Sequence, residues 1–468
     1  MLKLWNTASH ELEKFKSIKP GEVGMYTCGP TVYNPATIGN LRSYVFEDVL
    51  QRTLELLGYR VKRVMNITDV GHLTDDRDGG EDKMEREAAK TKRSAWEIAQ
   101  EYEDRFLEDL DRLQIRRPFI MPRATEHIPE QIELIQILEA KGFTYVTSDG
   151  VYFDTAQFDT YGQLSGQRLA EKEEGARVTV NPEKRNPSDF ALWKLSVPKG
   201  THPELVEGSR QKRQMEWESP WGVGFPGWHL ECSAMSVKYL GQPFDIHCGG
   251  VDHIAVHHEN EIAQSEAAFD KRLANYWLHH DFLLVDSRRM GKSEGNAYTL
   301  DDLIAKEFDP LAFRYYCLGT HYRSKMNFTW EGLEAAQEAL SKLKEKAARL
   351  STGEVDDDVM DRFEEALGED LNVSVALSVM WDLLKSDAAP SVKGGTLMQM
   401  DQVLGLNLVT GVDEKTRIPE EIQELAEVRE QARASKDWQK ADALREQLEE
   451  EGWNVEDQKD GFRLTKRA

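Results

Sequence analysis

The sequence predicts an α/β protein in which a parallel sheet of nucleotide-binding type is split by an insertion and followed by a helical domain and a small terminal module. Three observations carry this. Near the start, strand-like runs at 24–28 and 61–67 flank a helical stretch at 41–57, the strand–helix–strand unit of a parallel sheet. The strand-then-helix pattern returns between 226 and 268, after a middle segment of different character. Beyond Leu333 the chain reads as almost continuous helix, with apolar spacing at 373–384.

Taken in order, a polar, acidic loop at 74–82 containing Gly79-Gly80 is expected to move, and helices follow at 83–113 and 128–141. Short strands and turns are expected around 151–154, 161–166 and 187–193, and 208–212 reads as a solvated loop. Residues 244–247 read as a buried strand, 248–252 as the bend after it, and a helix begins at His257. A linker is placed at 411–419, and 420–468 reads as two helices and a last strand around Phe462. The expected divisions are 1–112 and 221–275 for the halves of the sheet domain, 113–220 for the insertion, 276–335 for a region with a basic loop, 336–411 for the helical domain and 418–468 for the terminal module.

Bulk properties narrow the function. A chain of 468 residues exceeds what one core fills, so about three domains are expected. Its formal net charge of -24 argues against indiscriminate adsorption to nucleic acid or anionic membrane; a nucleic-acid partner must meet a local basic patch. No apolar run approaches the roughly 20 residues of a membrane span, and the first residues lack a secretion signal, so a cytoplasmic location is expected. Four cysteines, Cys28, Cys232, Cys248 and Cys317, lie far apart, a poor disulfide framework that leaves metal binding or burial.

Three stretches carry chemistry. Cys28-Gly29-Pro30-Thr31 precedes Thr37-Ile38-Gly39-Asn40 at the mouth of a helix, an anion-binding corner with free backbone donors and a positive dipole end, although an ordinary helix start looks similar. The run from Ser287 to Asn296 is a basic, glycine-containing loop whose Lys292 can bring a mobile charge to a phosphate. In the third stretch, Gly249 and Gly250 let backbone approach a ligand, and His257 and Glu261 stand four apart on one helix face, able to reach one cation. A solvated helix surface carries such pairs too.

Together these blocks, with Trp217-Glu218-Ser219-Pro220-Trp221-Gly222 and the run Pro226 to Met235, give a chain that resembles the cysteine–tRNA ligases, class I aminoacyl-tRNA synthetases, over essentially its whole length. The family signature usually written HIGH is matched by Thr37 to Asn40, and its KMSKS loop by Arg289 to Ser293. The resemblance implies a Rossmann-like catalytic domain split by a connective insertion, a stem-contact region with the mobile loop, a helical-bundle domain and an anticodon-binding module. It implies one Zn²⁺ held by Cys28, Cys232, His257 and Glu261, a ligand set chemically suited to zinc, which takes the substrate thiolate and so separates cysteine from serine. Gly29, Thr68, Trp228 and His247 are implied around L-cysteine; Gly39, Gly249, Gly250, Asp252 and Lys292 around ATP with Mg²⁺; Thr37, Asn40 and Lys292 at the reacting phosphates. The partner implied is tRNA-Cys, read in part by Arg433, Trp438, Asp442 and Asp457, and the family-based expectation is a monomer.

The chain departs from the family at several points. Thr37 and Asn40 replace both signature histidines, Arg289 and Gly291 change the basic loop, Phe225 stands where an arginine is usual, and Cys248 replaces a glycine beside His247, where it could exchange for a zinc ligand. Asn40 can still offer an amide donor, whereas Thr37 offers one hydroxyl. Two other readings stand beside tRNA ligation: a cysteine ligase acting on an amino sugar, as in mycothiol synthesis, which should lack the terminal module, and a catalytically weak regulatory paralogue, for which the lost histidines speak.

Overall fold

The computed structural model describes residues 1–71, 83–166, 181–197, 213–291, 294–408 and, within 409–468, residues 422, 425, 426, 428, 429, 432, 433, 437–451, 453–458 and 461–466. The loops expected at 74–82 and 208–212, the linker at 411–419 and Lys292 lie outside them. The described residues form two compact units, Met1–Leu406 and Asn407–Ala468.

In the first unit a four-stranded parallel sheet has the order Ala274–His280, Phe244–Gly250, Glu22–Thr27, Arg60–Met65. The helix Ile38–Leu56 makes the first crossover. All seven residues of Phe244–Gly250 are buried, as expected of a strand covered on both faces. The bend expected at 248–252 is therefore corrected: Cys248, Gly249 and Gly250 continue the strand, and a short helix starts directly at Val251. Glycine is required there because a Cβ on Gly249 would come within 2.5 Å of the His258 ring. The sheet also runs past residue 275, through Ala274–His280.

Between the halves of this sheet, Thr144–Val146, Gly150–Phe153, Phe190–Leu195 and Gly224–Pro226 form a separate antiparallel sheet. Its core surrounds the fully buried Trp193 and receives Leu134 and Leu138 of the helix Ile128–Ala140, with Leu230 and Ala263 from two helices of the parallel-sheet domain. Downstream come the helices Trp330–Ala347, Asp357–Gly368, Val373–Lys385 and Pro390–Leu404, the amphipathic segments expected beyond Leu333.

A buried ionic knot joins the first crossover helix to these helices. Arg314 donates to Asp48 Oδ2 at 2.6 Å and to the Leu404 and Leu113 carbonyls; Arg52 donates to the same Asp48 oxygen at 2.7 Å and to the Gln402 and Gln114 carbonyls. Both guanidiniums thereby take up helix-end carbonyls that would otherwise lack donors. Burial pushes the Asp48 carboxyl up, but Arg52 and Arg314 outweigh it and hold the pKa at about 2.

In the second unit the helix Trp438–Glu450 precedes a hairpin of Trp453–Gln458 and Gly461–Lys466. The first strand of this hairpin was not expected. Its signal is the alternation of Trp453 and Val455, both buried with Ile422, Ala426 and Leu448, against polar neighbours. Trp438 is 59% exposed and Asp442 is exposed at the helix start, Arg433 is half-buried, and Asp457 lies within the hairpin.

Removing one member of the knot leaves buried charge uncompensated, so Arg314→Met should destabilise the protein by about 3–5 kcal/mol in urea denaturation. Because the Asp48 pKa lies below its unfolded value of about 3.9, its contribution is full above that value and lost as pH falls toward 2. Asp48→Asn should flatten that part of the stability–pH profile.

Candidate metal centre and nucleotide cleft

The parallel register decides which side chains meet. Tyr26 lies opposite His247, and His247 opposite Trp277, so one sheet face carries these rings at one level, with His247 stacked on Trp277 at 4.5 Å. One residue beyond its strand, Cys28 donates its backbone N–H to the Cys248 carbonyl at 3.3 Å. From the other side, the helices Trp228–Leu240 and His257–Phe269 bring Cys232, His257 and Glu261. One ligand atom from each of Cys28, Cys232, His257 and Glu261 falls within 4.8 Å of the others, all four buried, so this cluster could hold a metal ion. Cys28, His247, His258 and Glu261 form an overlapping second set.

The surrounding hydrogen bonds aim these atoms. His257 Nε2 and His247 Nε2 reach the two oxygens of Glu261 at 3.0 and 2.8 Å, while His257 Nδ1 meets His229 Nδ1 at 2.9 Å. His258 Nε2 lies 3.4 Å from Cys28 Sγ, and its Nδ1 continues through His279 to the Thr7 hydroxyl at 2.7 and 2.8 Å. Burial raises Glu261, but His247 and His257 more than offset it and hold the carboxyl well below its usual range. Burial lowers His257, yet Glu261 and Cys232 raise its pKa to about 10. The Cys232 sulfur is pulled down by the bond from Cys28, whereas burial pushes Cys28 up. Two sulfurs, one imidazole and one carboxylate thus converge on one buried point, a donor set that can hold a cation once the sulfurs and the ring have given up their protons. Cys248 is corrected as a candidate ligand: alternation along the strand turns it to the opposite face, into the apolar cluster with Ile246 and Phe46.

Above this cluster opens a cleft of about 500 Å³. Of the residues singled out from sequence, Cys28, Gly29, Thr37, Gly39, Asn40, Trp228, Gly249, Gly250 and Asp252 line it, while Thr68, Cys232, His247, His257 and Glu261 are buried. His253, His280 and Met290 also line it, and these three were not singled out. Burial is the first cause that brings the pKa of both His253 and His280 to about 4, so both face the cleft as neutral rings. Met290 packs over Gly39, whose added Cβ would sit 3.5 Å from the Met290 sulfur. This brings the basic-loop strand to the helix mouth, where Ile38 N–H also donates to the Tyr298 carbonyl at 2.9 Å.

The replaced signature residues have a structural explanation. Thr37 and Asn40 form a reciprocal capping box: Asn40 Oδ1 accepts from the Thr37 N–H and hydroxyl at 3.0 and 2.8 Å, and Thr37 Oγ1 accepts from the Asn40 N–H at 3.3 Å. Thr37 therefore has its proton committed, and Asn40 keeps Nδ2 as the donor not used in the cap. The T-x-x-N spacing is the sequence signal for this arrangement. At another departure, the guanidinium of Arg213 lies 3.6 Å from the centre of the Phe225 ring, bringing a cation from a different segment to that position.

Residues 14–338 match the family of tRNA synthetases class I (C) catalytic domains, and residues 415–463 match the cysteinyl-tRNA ligase anticodon binding domain. Cysteine–tRNA ligase 1 of Burkholderia lata is 51% identical, with 99% of this chain and 96% of that protein covered. The cysteine–tRNA ligase of Treponema denticola is 42% identical with 98% of each covered, and that of a Thermus thermophilus strain is 42% identical with 99% and 98% covered. Solved structures share the fold: a Mycobacterium tuberculosis methionyl-tRNA synthetase bound by methionyl-adenylate has a TM-score of 0.55 at 16% identity, covering 82% of this chain and 90% of that one. The ternary complex of Agrobacterium radiobacter K84 agnB2 LeuRS with tRNA and LeuAMS has a TM-score of 0.58 at 12% identity, covering 84% of each.

The approach at Gly29 yields a test of how tightly the site is built. A Cβ there would fall 1.7 Å from the Asn66 carbonyl oxygen, a backbone atom that cannot swing aside. Gly29→Ala should cost about 2 kcal/mol in urea denaturation, an overpacking effect.

Proposed function

The chain belongs to the cysteine–tRNA ligase family of class I aminoacyl-tRNA synthetases, and from that membership we propose that it activates L-cysteine with ATP and transfers the cysteinyl group to tRNA-Cys. In the first step the cysteine carboxylate attacks the α-phosphate of ATP and pyrophosphate leaves. In the second, a hydroxyl of the terminal adenosine of tRNA attacks the acyl carbon and AMP leaves. Neither step needs a side-chain nucleophile; positioning and charge neutralisation, with Mg²⁺ on the phosphates, are what the protein must supply.

The observation that carries this reading is the buried cluster of two sulfurs, one imidazole and one carboxylate at the base of the cleft. Cys28, Cys232, His257 and Glu261 suit Zn²⁺, and the bond between His257 Nδ1 and His229 Nδ1 holds the His257 ring from its far side. Zinc bound there supplies a soft Lewis acid that takes a thiolate far better than a hydroxyl, which separates cysteine from serine without proofreading. Trp228 closes the cysteine side of the pocket, and Thr68 and His247 shape it from beneath. Asp252 accepts from the ribose hydroxyls; Gly39, Gly249 and Gly250 let ATP approach backbone; Asn40 Nδ2 and Lys292 meet the phosphates, and Thr37 holds Asn40 in place.

The match at 415–463 supports tRNA over an amino sugar as acceptor, with Arg433, Trp438, Asp442 and Asp457 on the anticodon side. Among the described residues no helix is long and apolar enough to cross a membrane.

Cysteine-dependent exchange of labelled pyrophosphate into ATP tests the reading. Exchange should favour cysteine over serine by at least about 1000-fold in kcat/KM, and charging of tRNA-Cys should follow. No exchange by zinc-replete protein would replace this reading with the regulatory paralogue. Cys232→Ala should lose zinc by metal analysis and lose exchange with it. Asn40→Ala should slow exchange about 100-fold while leaving KM for cysteine unchanged, the cost of one missing donor at the phosphate.

A further inference from the structure

Two residues adjoin the sulfur-bearing positions of the cluster in sequence: Gly29 follows Cys28, and Glu231 precedes Cys232. A continuous path of hydrogen bonds joins them. Gly29 N–H donates to Asn66 Oδ1 at 2.9 Å, Asn66 Nδ2 donates to Thr68 Oγ1 at 2.9 Å, and the Thr68 hydroxyl donates to Glu231 Oε2 at 2.8 Å. Every direction in this path is forced. A backbone N–H can only donate, so the Asn66 amide must turn its oxygen to Gly29 and its nitrogen to Thr68. The Thr68 hydroxyl, accepting from Asn66, spends its proton on the carboxylate.

We propose that Glu231 is a positioning residue of the cysteine pocket, which acts through Thr68 and Asn66 to hold the Cys28 and Cys232 segments at fixed separation. The path is sealed: Glu231 is 0% exposed, Thr68 1% and Asn66 2%. Its far end cannot drift, because Asn66 backbone fills the space beside Gly29. The helix carrying Glu231 and Cys232 and the segment just past the strand Glu22–Thr27 that carries Cys28 come from distant parts of the chain, and this path crosses between them. It also fixes the polarity of Thr68. With its proton committed, the hydroxyl offers a ligand only an acceptor, which suits a donor such as an ammonium group and not a carboxylate.

The inference rests on the reading of the pocket as a zinc-dependent cysteine site, and its test separates the two. Full-length, zinc-loaded protein and the variants Glu231→Ala, Glu231→Gln and Asn66→Asp are compared by the rate of zinc loss to excess EDTA, and by KM for cysteine and ATP in pyrophosphate exchange, with circular dichroism as the check on folding. In Glu231→Ala, zinc loss should quicken about 10- to 100-fold, as for loss of an outer-shell partner. Its KM for cysteine should rise by about tenfold, with kcat and KM for ATP unchanged within about twofold, the signature of misplaced binding groups. Glu231→Gln keeps an acceptor oxygen for Thr68 and should restore both quantities to near the parent values. Asn66→Asp keeps the acceptor for Gly29 but removes the donor to Thr68, and should move both in the direction of Glu231→Ala. If Glu231→Ala does not fold, Asn66→Asp decides. Folded variants that match the parent in zinc loss and KM would overturn the proposal, as would a Glu231→Gln protein as damaged as Glu231→Ala. A parent protein that holds no zinc, or shows no exchange with cysteine, would instead overturn the reading of the site.

Discussion

The pairing of Glu22–Thr27 with Phe244–Gly250 is the constraint on which the rest of the molecule depends. These strands are remote in sequence, and only their register sets Thr27 opposite Cys248 and brings Cys28 to the edge of a cluster whose other members lie on two later helices. A slip of one residue would turn His247 into the apolar face and Cys248 toward the cluster, exchanging an imidazole for a thiol. The register is held on both faces: Phe46, Leu50 and Ile246 pack on one side, and His247, stacked on Trp277 and bonded to Glu261, on the other. The insertion does not disturb it, because the inserted chain builds its own antiparallel sheet.

Burial dominates the electrostatics of the molecule, and the outcome depends on how each charge is compensated. In the knot, two guanidiniums face one carboxylate, and Asp48 stays ionised although fully buried. A single guanidinium is not enough for Glu47, bonded to Arg63 at 2.7 Å, and burial leaves its pKa at about 7. In the cluster Glu261 is shared by two imidazoles, which together outweigh its burial. The same chemistry thus gives a structural fastener at Asp48 and, at Glu261, a cluster that could hold a metal ion. The difference is that the cluster gathers soft sulfur and nitrogen donors, whereas the knot gathers only guanidinium, carboxylate and carbonyl groups.

Much of the site was legible in the sequence because its residues obey local rules. The i, i+4 spacing of His257 and Glu261 puts Nε2 and Oε1 3.0 Å apart on one helix, as helical geometry requires. The helix mouth at Thr37 follows from its N-cap residue, and the long terminal helices from their apolar period. Local reasoning erred where burial removed the pattern it relies on. The run Phe244 to Gly250 has no alternation because both faces are covered, so its glycines read as a bend.

The sequence by itself determined the classes of donor, the helices that carry them and the loss of the usual signature histidines, since all of these are properties of residues near one another in the chain. Only the tertiary structure decided which donors meet. That Cys248 faces apolar packing while Cys28 faces sulfur follows from strand pleat and register, and that Arg213 reaches Phe225 follows from how the insertion returns to the sheet. The path from Gly29 to Glu231 depends on hydrogen-bond directions that no spacing encodes. Contacts between distant segments are set by burial and by the need to pair every buried donor, and that accounting closes only when the whole chain is folded.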